Sequence, residues 1–182
     1  FARQALLKGK HVLVEKPFVT EVEQAQDLIA LARNAGKVLM VGHTFEYAAA
    51  VNQIRAILAE GKLGEILYIR SERVNLGLFQ KDINVLWDLA PHDVSILLYI
   101  LQRLPSHVSA IGSSHVTTGV EDVVILTLEF GPALMANVIV SWLDPRKVRQ
   151  MTLVGDRKML VYDDISPNEK LRIYDRGVDG PK

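Results

Sequence analysis

Glu15-Lys16-Pro17 closes the apolar run His11-Val12-Leu13-Val14, and far downstream Asp88 and His92 stand four residues apart in Trp87-Asp88-Leu89-Ala90-Pro91-His92. Oxidising a secondary alcohol requires hydride to leave the carbon and a proton to leave the oxygen, so a base must lie within hydrogen-bond reach of that oxygen. An imidazole can accept the proton near neutral pH. A lysine beside a cofactor can hold the developing alkoxide or relay the proton, and a carboxylate one helical turn from an imidazole can fix its tautomer. These residue types suit an enzyme that moves a proton while a cofactor moves a hydride. Which of Lys16 and His92 takes the proton is open at this level.

Each of these residues also has a plainer reading. Lys16 can be a solvated charge at a strand end, His92 a buried structural histidine, and Asp88 the N-cap of an apolar helix predicted over residues 94–104. Pro91 has no amide hydrogen, so an Asp88 cap would satisfy only Ala90.

The elements that must position these groups fall into two patterns. Residues 1–7 read as the tail of an apolar helix stopped by Gly9, and residues 10–15 as a short strand buried on both faces. Thr20 and Glu23 form a capping box for a helix whose Val22, Ala25, Leu28, Ile29 and Ala32 recur at helical spacing up to Gly36. Residues 38–42 are the next strand, and the unit has the form of a parallel, doubly wound sheet. A helix over 48–60, ended by Gly61, leads into a different pattern: a strand over 66–70, a turn at Asn75-Leu76-Gly77, then strands over 108–112, 123–130, 133–142, 150–154 and 159–162. Gly131-Pro132 and Gly155-Asp156 read as hairpin connections. The expected fold is the C-terminal portion of an α/β Rossmann-type domain over residues 1–44, followed by an α+β domain with an open, mainly antiparallel sheet over 45–182. Phe1 lies inside a helix and Asp179-Gly180-Pro181-Lys182 halts without a closing element, so both ends are expected to be truncated.

Composition narrows the function classes. The 182 residues carry 21 basic and 21 acidic side chains. This balance provides no positive field for nucleic acid or a membrane surface. There are no cysteines, which removes disulfides and thiolate chemistry. The longest apolar run, 133–143, is broken by Asn137 and too short to span a bilayer. The histidines lack metal-ligand spacing, so no metal is expected, and the cytoplasm is the default compartment.

In order along the chain, Gly9-Lys10-His11-Val12-Leu13-Val14-Glu15-Lys16-Pro17, the helix after it, Val41-Gly42-His43 and the Asp88/His92 step resemble the Gfo/Idh/MocA family of NAD(P)-dependent oxidoreductases. The resemblance runs in register through nearly the whole chain. It implies that Lys16, Asp88 and His92 surround the reacting carbon of a sugar or cyclitol. It also implies that Glu15 and Pro17 lie beside the nicotinamide ribose, and that the antiparallel sheet is both substrate wall and homo-oligomer interface. Bound NAD or NADP is expected; the phosphate loop that would tell them apart lies upstream in such folds.

Secondary candidates complete the expected site. His43 and Thr44 follow a parallel strand at its carboxyl end, where ligands of doubly wound sheets collect. Phe45 and Tyr47 can line that pocket or belong to the core, loop residues Arg73 and Asn75 can bind hydroxyl, carboxylate or phosphate groups of a substrate, with a solvated charge the plainer reading of Arg73, and Trp142 can stack on a sugar ring or equally be a packing or interface residue. His11, His107 and His115 have no partner pattern and are given no role. Compared with the family's commonest pattern, Ile83-Asn84-Val85-Leu86-Trp87 replaces a glycine-rich stretch, Ser95 replaces an aspartate three residues after the histidine, and Asp93 directly follows His92. Asn75-Leu76-Gly77, Trp87 to Asp93 and Ser141-Trp142-Leu143-Asp144-Pro145 look most like members tied to nucleotide-sugar and surface-polysaccharide synthesis. The leading expectation is therefore a sugar or nucleotide-sugar dehydrogenase. The alternatives are an enzyme using held NAD to cleave glycosides without net redox change, and a non-catalytic dinucleotide-binding regulator.

Overall fold

The computed structural model describes residues 1–178; the expected open end at 179–182 lies outside them. The chain divides into two compact units, Phe1–Thr44 and everything from Phe45 onward.

The first unit runs α1 (Ala2–Leu7), β1 (Val12–Val14), α2 (Val22–Asn34) and β2 (Leu39–Val41). The strands are parallel neighbours, Val12 opposite Leu39 and Val14 opposite Val41, as required of a β-α-β unit. Gly9 and Gly36 end the two helices with φ of 68° and 59°, a conformation that a Cβ disfavours. Two expectations are corrected here. The N-cap of α2 is Glu21, without a side-chain hydrogen bond, so Thr20 and Glu23 form no capping box. The strands are not covered on both faces, since Leu13 is 66% and Met40 39% exposed.

The second unit is a helical layer on one face of a sheet. A 3-10 turn over Thr44–Tyr47 leads into α3 (Ala49–Ala59), then β3 (Ile66–Leu76), α4 (Val85–Leu101), β4 (His107–Ser113), β5 (Val123–Glu129), β6 (Met135–Ser141), β7 (Leu143–Gly155), β8 (Met159–Asp163) and β9 (Leu171–Tyr174). The strand order is β4-β5-β6-β3-β7-β8-β9. Only β3 with β6 is parallel; the other pairings are antiparallel. Val124, Leu126 and Leu128 of β5 and Ala136, Val138 and Val140 of β6 are buried, with less buried neighbours between them. This period of two presents one apolar face. Val51, Ile54 and Ile57 of α3 and Ile96, Leu97 and Ile100 of α4 close the core over it. The other face is mixed rather than apolar: Asn137 bonds Thr127 across β5 and β6, and Ile139 lies between Ile125 and Glu72.

Several elements differ from the expected ones, among them β7, which begins at Leu143 and not at 150, and α4, which ends at Leu101 and not at 104. α4 begins at Val85, because Asn84 caps it by accepting from the Trp87 amide at 3.2 Å. Pro91 is thus inside the helix, where it supplies no amide to the carbonyl of Trp87. β3 runs through residue 76, so Arg73 and Asn75 are strand residues and not loop residues. β9 had no strong sequence signal: its four residues, Leu-Arg-Ile-Tyr, are mostly exposed at the sheet edge. Among the described residues, no helix is long and apolar enough to cross a membrane.

Candidate active site

In the first unit, the parallel strands place their carboxyl ends side by side. The Gly42 amide donates to the Val14 carbonyl at 2.8 Å, and the Lys16–Pro17 peptide is cis. A Cβ on Gly42 would lie 3.1 Å from Glu15 Oε2, so the missing side chain is what lets the carboxylate approach. His43 Nδ1 is buried without a hydrogen-bond partner among the described residues. A buried ring nitrogen in that condition costs free energy unless a ligand or water satisfies it. Glu15, Lys16, Pro17 and His43 thus form one strand-end edge with an unmet polar atom. Ligands of doubly wound sheets collect at such carboxyl-end edges.

In the second unit the chemistry is on α4. Asp88 and His92 are one turn apart and share a helix face. Both belong to the first two turns, which are tied to the segment before β5: Val85 N donates to Glu121 O at 2.9 Å, and Asn84 Nδ2 donates to Glu121 Oε2 at 2.7 Å. The Asn84 bond holds the Glu121 carboxyl below its usual pKa, its backbone hydrogen bond adding to the effect against a small cost of burial.

His92 is steered by packing. Its ring meets Phe45 edge-on, centroids 5.1 Å apart at 72°, and Ser95 Oγ donates to its carbonyl at 2.9 Å. Phe45 in turn carries the Arg73 guanidinium 4.8 Å over its ring centroid. Arg73 is buried and paired: Nε donates to Asp93 Oδ2 at 2.5 Å, and Ser71 Oγ donates to Asp93 Oδ1 at 2.7 Å. This differs from the solvated, substrate-facing arginine expected from the sequence. The residue after His92 is thereby anchored to the sheet, which fixes where the helix carries the imidazole.

Asp88 is held from another direction. Trp142 Nε1 donates to Asp88 Oδ2 at 3.1 Å. At 2% exposure, Trp142 has no face open for a sugar ring, so of its two expected roles the structure gives packing and not stacking. Gly77 lies against the same tryptophan, its amide donating to the Trp142 carbonyl at 3.1 Å. A Cβ there would lie 3.0 Å from both Asn75 Nδ2 and Trp142 Cδ1. Asn75 is thus gathered with Trp142 and Asp88, at a break in the β3–β7 register between Val74 and Leu76.

The candidates therefore sort by surroundings. Glu15, Lys16, Pro17 and His43 share the strand ends of the first unit, with exposed Thr44 following. Asp88, His92, Asn75, Trp142 and Arg73 converge around the start of α4, the last two as buried supports. Tyr47 is 69% exposed. Ser71, Asn84 and Asp93 were not singled out as site residues by the sequence reading. Ile69, Ser71 and Arg73 alternate in phase, which would have flagged a buried arginine in need of an acid. His11, given no role, accepts the Val38 amide at Nδ1, 3.0 Å away. Among the described residues, no group of three or more His, Cys, Asp or Glu could hold a metal ion.

Comparison with known proteins agrees with this layout. Residues 51–161 match the family model for the GFO/IDH/MocA C-terminal domain, and residues 1–43 match the oxidoreductase family, NAD-binding Rossmann fold. The chain is 30% identical over 179 residues to the UDP-N-acetylglucosamine 3-dehydrogenase of Acidithiobacillus ferrooxidans, covering 97% of this chain and 54% of that protein. A crystal form of that dehydrogenase, GnnA, has a TM-score of 0.77 at 28% identity, with 96% of this chain and 56% of that one covered. An inositol dehydrogenase homolog from Azotobacter vinelandii, complexed with NADH and myo-inositol, shares the fold with a TM-score of 0.84 at 22% identity, covering 98% of this chain and 53% of that one. The chain spans about half the length of each of these proteins. With both units matched in chain order, the chain belongs to the GFO/IDH/MocA family of oxidoreductases.

Proposed function

We propose that the protein containing this chain is an NAD(P)-dependent dehydrogenase that transfers hydride between a secondary alcohol of a sugar or nucleotide-sugar and the nicotinamide. The observation that carries this reading is the Asp88/His92 step on α4, with Asp88 held by the buried Trp142 indole and the His92 ring packed against the half-buried Phe45. Bound dinucleotide supplies the hydride acceptor. His92 accepts the hydroxyl proton as the carbon–oxygen double bond forms, and Asp88 holds the imidazole in the accepting tautomer and steadies its charged form. Lys16 stabilises the negative charge that develops on the oxygen. Glu15, Pro17 and His43 seat the nicotinamide ribose, while Thr44, Tyr47 and Asn75 contact the substrate.

The similarity to UDP-N-acetylglucosamine 3-dehydrogenase favours a nucleotide-linked hexose. The reading includes a homo-oligomer formed through the outer sheet face, where Ile111, Ile125 and Met135 are exposed, and a cytoplasmic setting in keeping with a chain without cysteines.

Incubating the full-length enzyme with NAD or NADP and a panel of sugars and nucleotide-sugars tests it. The expected result is net formation of reduced nicotinamide with one substrate class. Glycoside cleavage without net reduction would replace the dehydrogenase by the cleaving enzyme, and dinucleotide binding without any turnover would replace it by a regulator.

A further inference from the structure

We propose that Trp142 is a positioning residue for the reaction, acting through Asp88; the inference rests on the role assigned to Asp88 above. An indole N–H removed from water needs an acceptor. The acceptor here is the carboxylate on the helix that bears His92, 3.1 Å away.

The tryptophan is itself fixed on every side the structure records. It stands at the corner where β6 ends at Ser141 and β7 begins at Leu143. Its amide donates to the Asp122 carbonyl at 2.9 Å and its carbonyl accepts from Gly77 at 3.1 Å. The ring meets Phe79 edge-on, centroids 6.1 Å apart at 87°, and Gly77 lies against Cδ1. Ser141 Oγ accepts the Leu143 amide at 2.9 Å, which holds the corner itself. An indole so confined has one orientation for its N–H. By binding one carboxylate oxygen it sets the plane of the Asp88 carboxylate, and with it the direction the second oxygen faces. A carboxylate on a helix otherwise samples a broad range about its terminal torsion. The corner between β6 and β7 thus does for Asp88 what the Arg73, Asp93 and Phe45 stack does for His92.

The test compares Trp142→Phe, Asp88→Asn and their double variant in the full-length enzyme. Trp142→Phe keeps an aromatic ring and removes the donor. The expected loss is roughly 10- to 100-fold in kcat, the scale of one hydrogen bond to a charged group, with KM changed by less than about 2-fold. The double variant should be no slower than Asp88→Asn alone, because the tryptophan acts only through that carboxylate. Unchanged kcat in Trp142→Phe, or losses that multiply in the double variant, would overturn the positioning role while leaving Asp88 in place. If Asp88→Asn itself turns over like wild type, the assignment of Asp88 fails first. Should Trp142→Phe not fold, the Trp142 indole N–H resonance decides: it should move between wild type and Asp88→Asn, and an unmoved signal overturns the proposal.

Discussion

Arg73 and Asp93 form an ion pair with side chains only 4% and 5% exposed, Nε to Oδ2 at 2.5 Å. Removing one partner leaves the other charged in the core. Arg73→Ala and Asp93→Ala should each cost about 3–5 kcal/mol of stability, and the double substitution less than their sum. Urea unfolding of the four proteins measures this; additive losses would show that the two groups do not stabilise each other. Arg73→Lys should also destabilise, since an ammonium cannot reproduce the planar guanidinium over Phe45.

Asp122 gives the fold a pH dependence. Burial disfavours its charge, but hydrogen bonds from His115 Nδ1 and from the amides of His115 and Val116 outweigh that, so its pKa is held below the ordinary value. Its folded pKa is therefore lower than its unfolded one, and the resulting stability is complete above the unfolded value, about 3.9. It is lost as pH falls through the folded value. Asp122→Asn should be less stable than wild type at neutral pH and lose less stability between about pH 5 and pH 2. Denaturation midpoints across that range check both, and parallel curves would count against the pair.

A second carboxyl, Asp164, acts in the same sense. Burial opposes its ionisation, while Lys170 and the Tyr162 hydroxyl hold its pKa down. Lys170→Met should reduce stability at neutral pH and narrow the difference from wild type on acidification, a trend the same titration series would reveal.

For the reaction itself, Lys16→Ala and His92→Ala should each lower turnover of the full-length enzyme by roughly 100-fold or more, the usual scale for a lost general base or its electrostatic partner. Dinucleotide affinity should change far less. Steady-state rates beside cofactor titrations separate the two quantities, and wild-type turnover in His92→Ala would mean that the proton leaves by another path.

Gly155 and Gly36 should respond differently to alanine. A Cβ on Gly155 would stand 2.2 Å from the Leu63 carbonyl oxygen and 2.7 Å from that of Lys158, both backbone atoms. Gly155→Ala should therefore cost about 1–3 kcal/mol or more. At Gly36 no atom lies within 4 Å and only the positive φ opposes a side chain, so the cost should be nearer 1 kcal/mol. Equal losses would contradict the steric argument.

The local signals in this chain were legible because they depend on near neighbours. Apolar spacing marked α2 and α3, glycines marked the helix stops, and four-residue spacing put Asp88 and His92 on one turn. The alternation of apolar runs and turns was enough for a mainly antiparallel sheet after residue 45. What the sequence could not order was the pairing of distant segments. The start of α4 was misplaced because Asn84 caps it with help from Glu121, 37 residues away, whereas the apolar run that looked like the helix begins only at Val94. Arg73 looked solvated because its acid, Asp93, is 20 residues on, and Trp142 looked like a sugar platform because its acceptor is 54 residues back. Asp88 and His92 could be named from sequence, since their spacing is a property of the helix. The groups that hold them come from β3, from the turn before α3 and from the corner between β6 and β7, and only folding the sheet brings those segments to one helix.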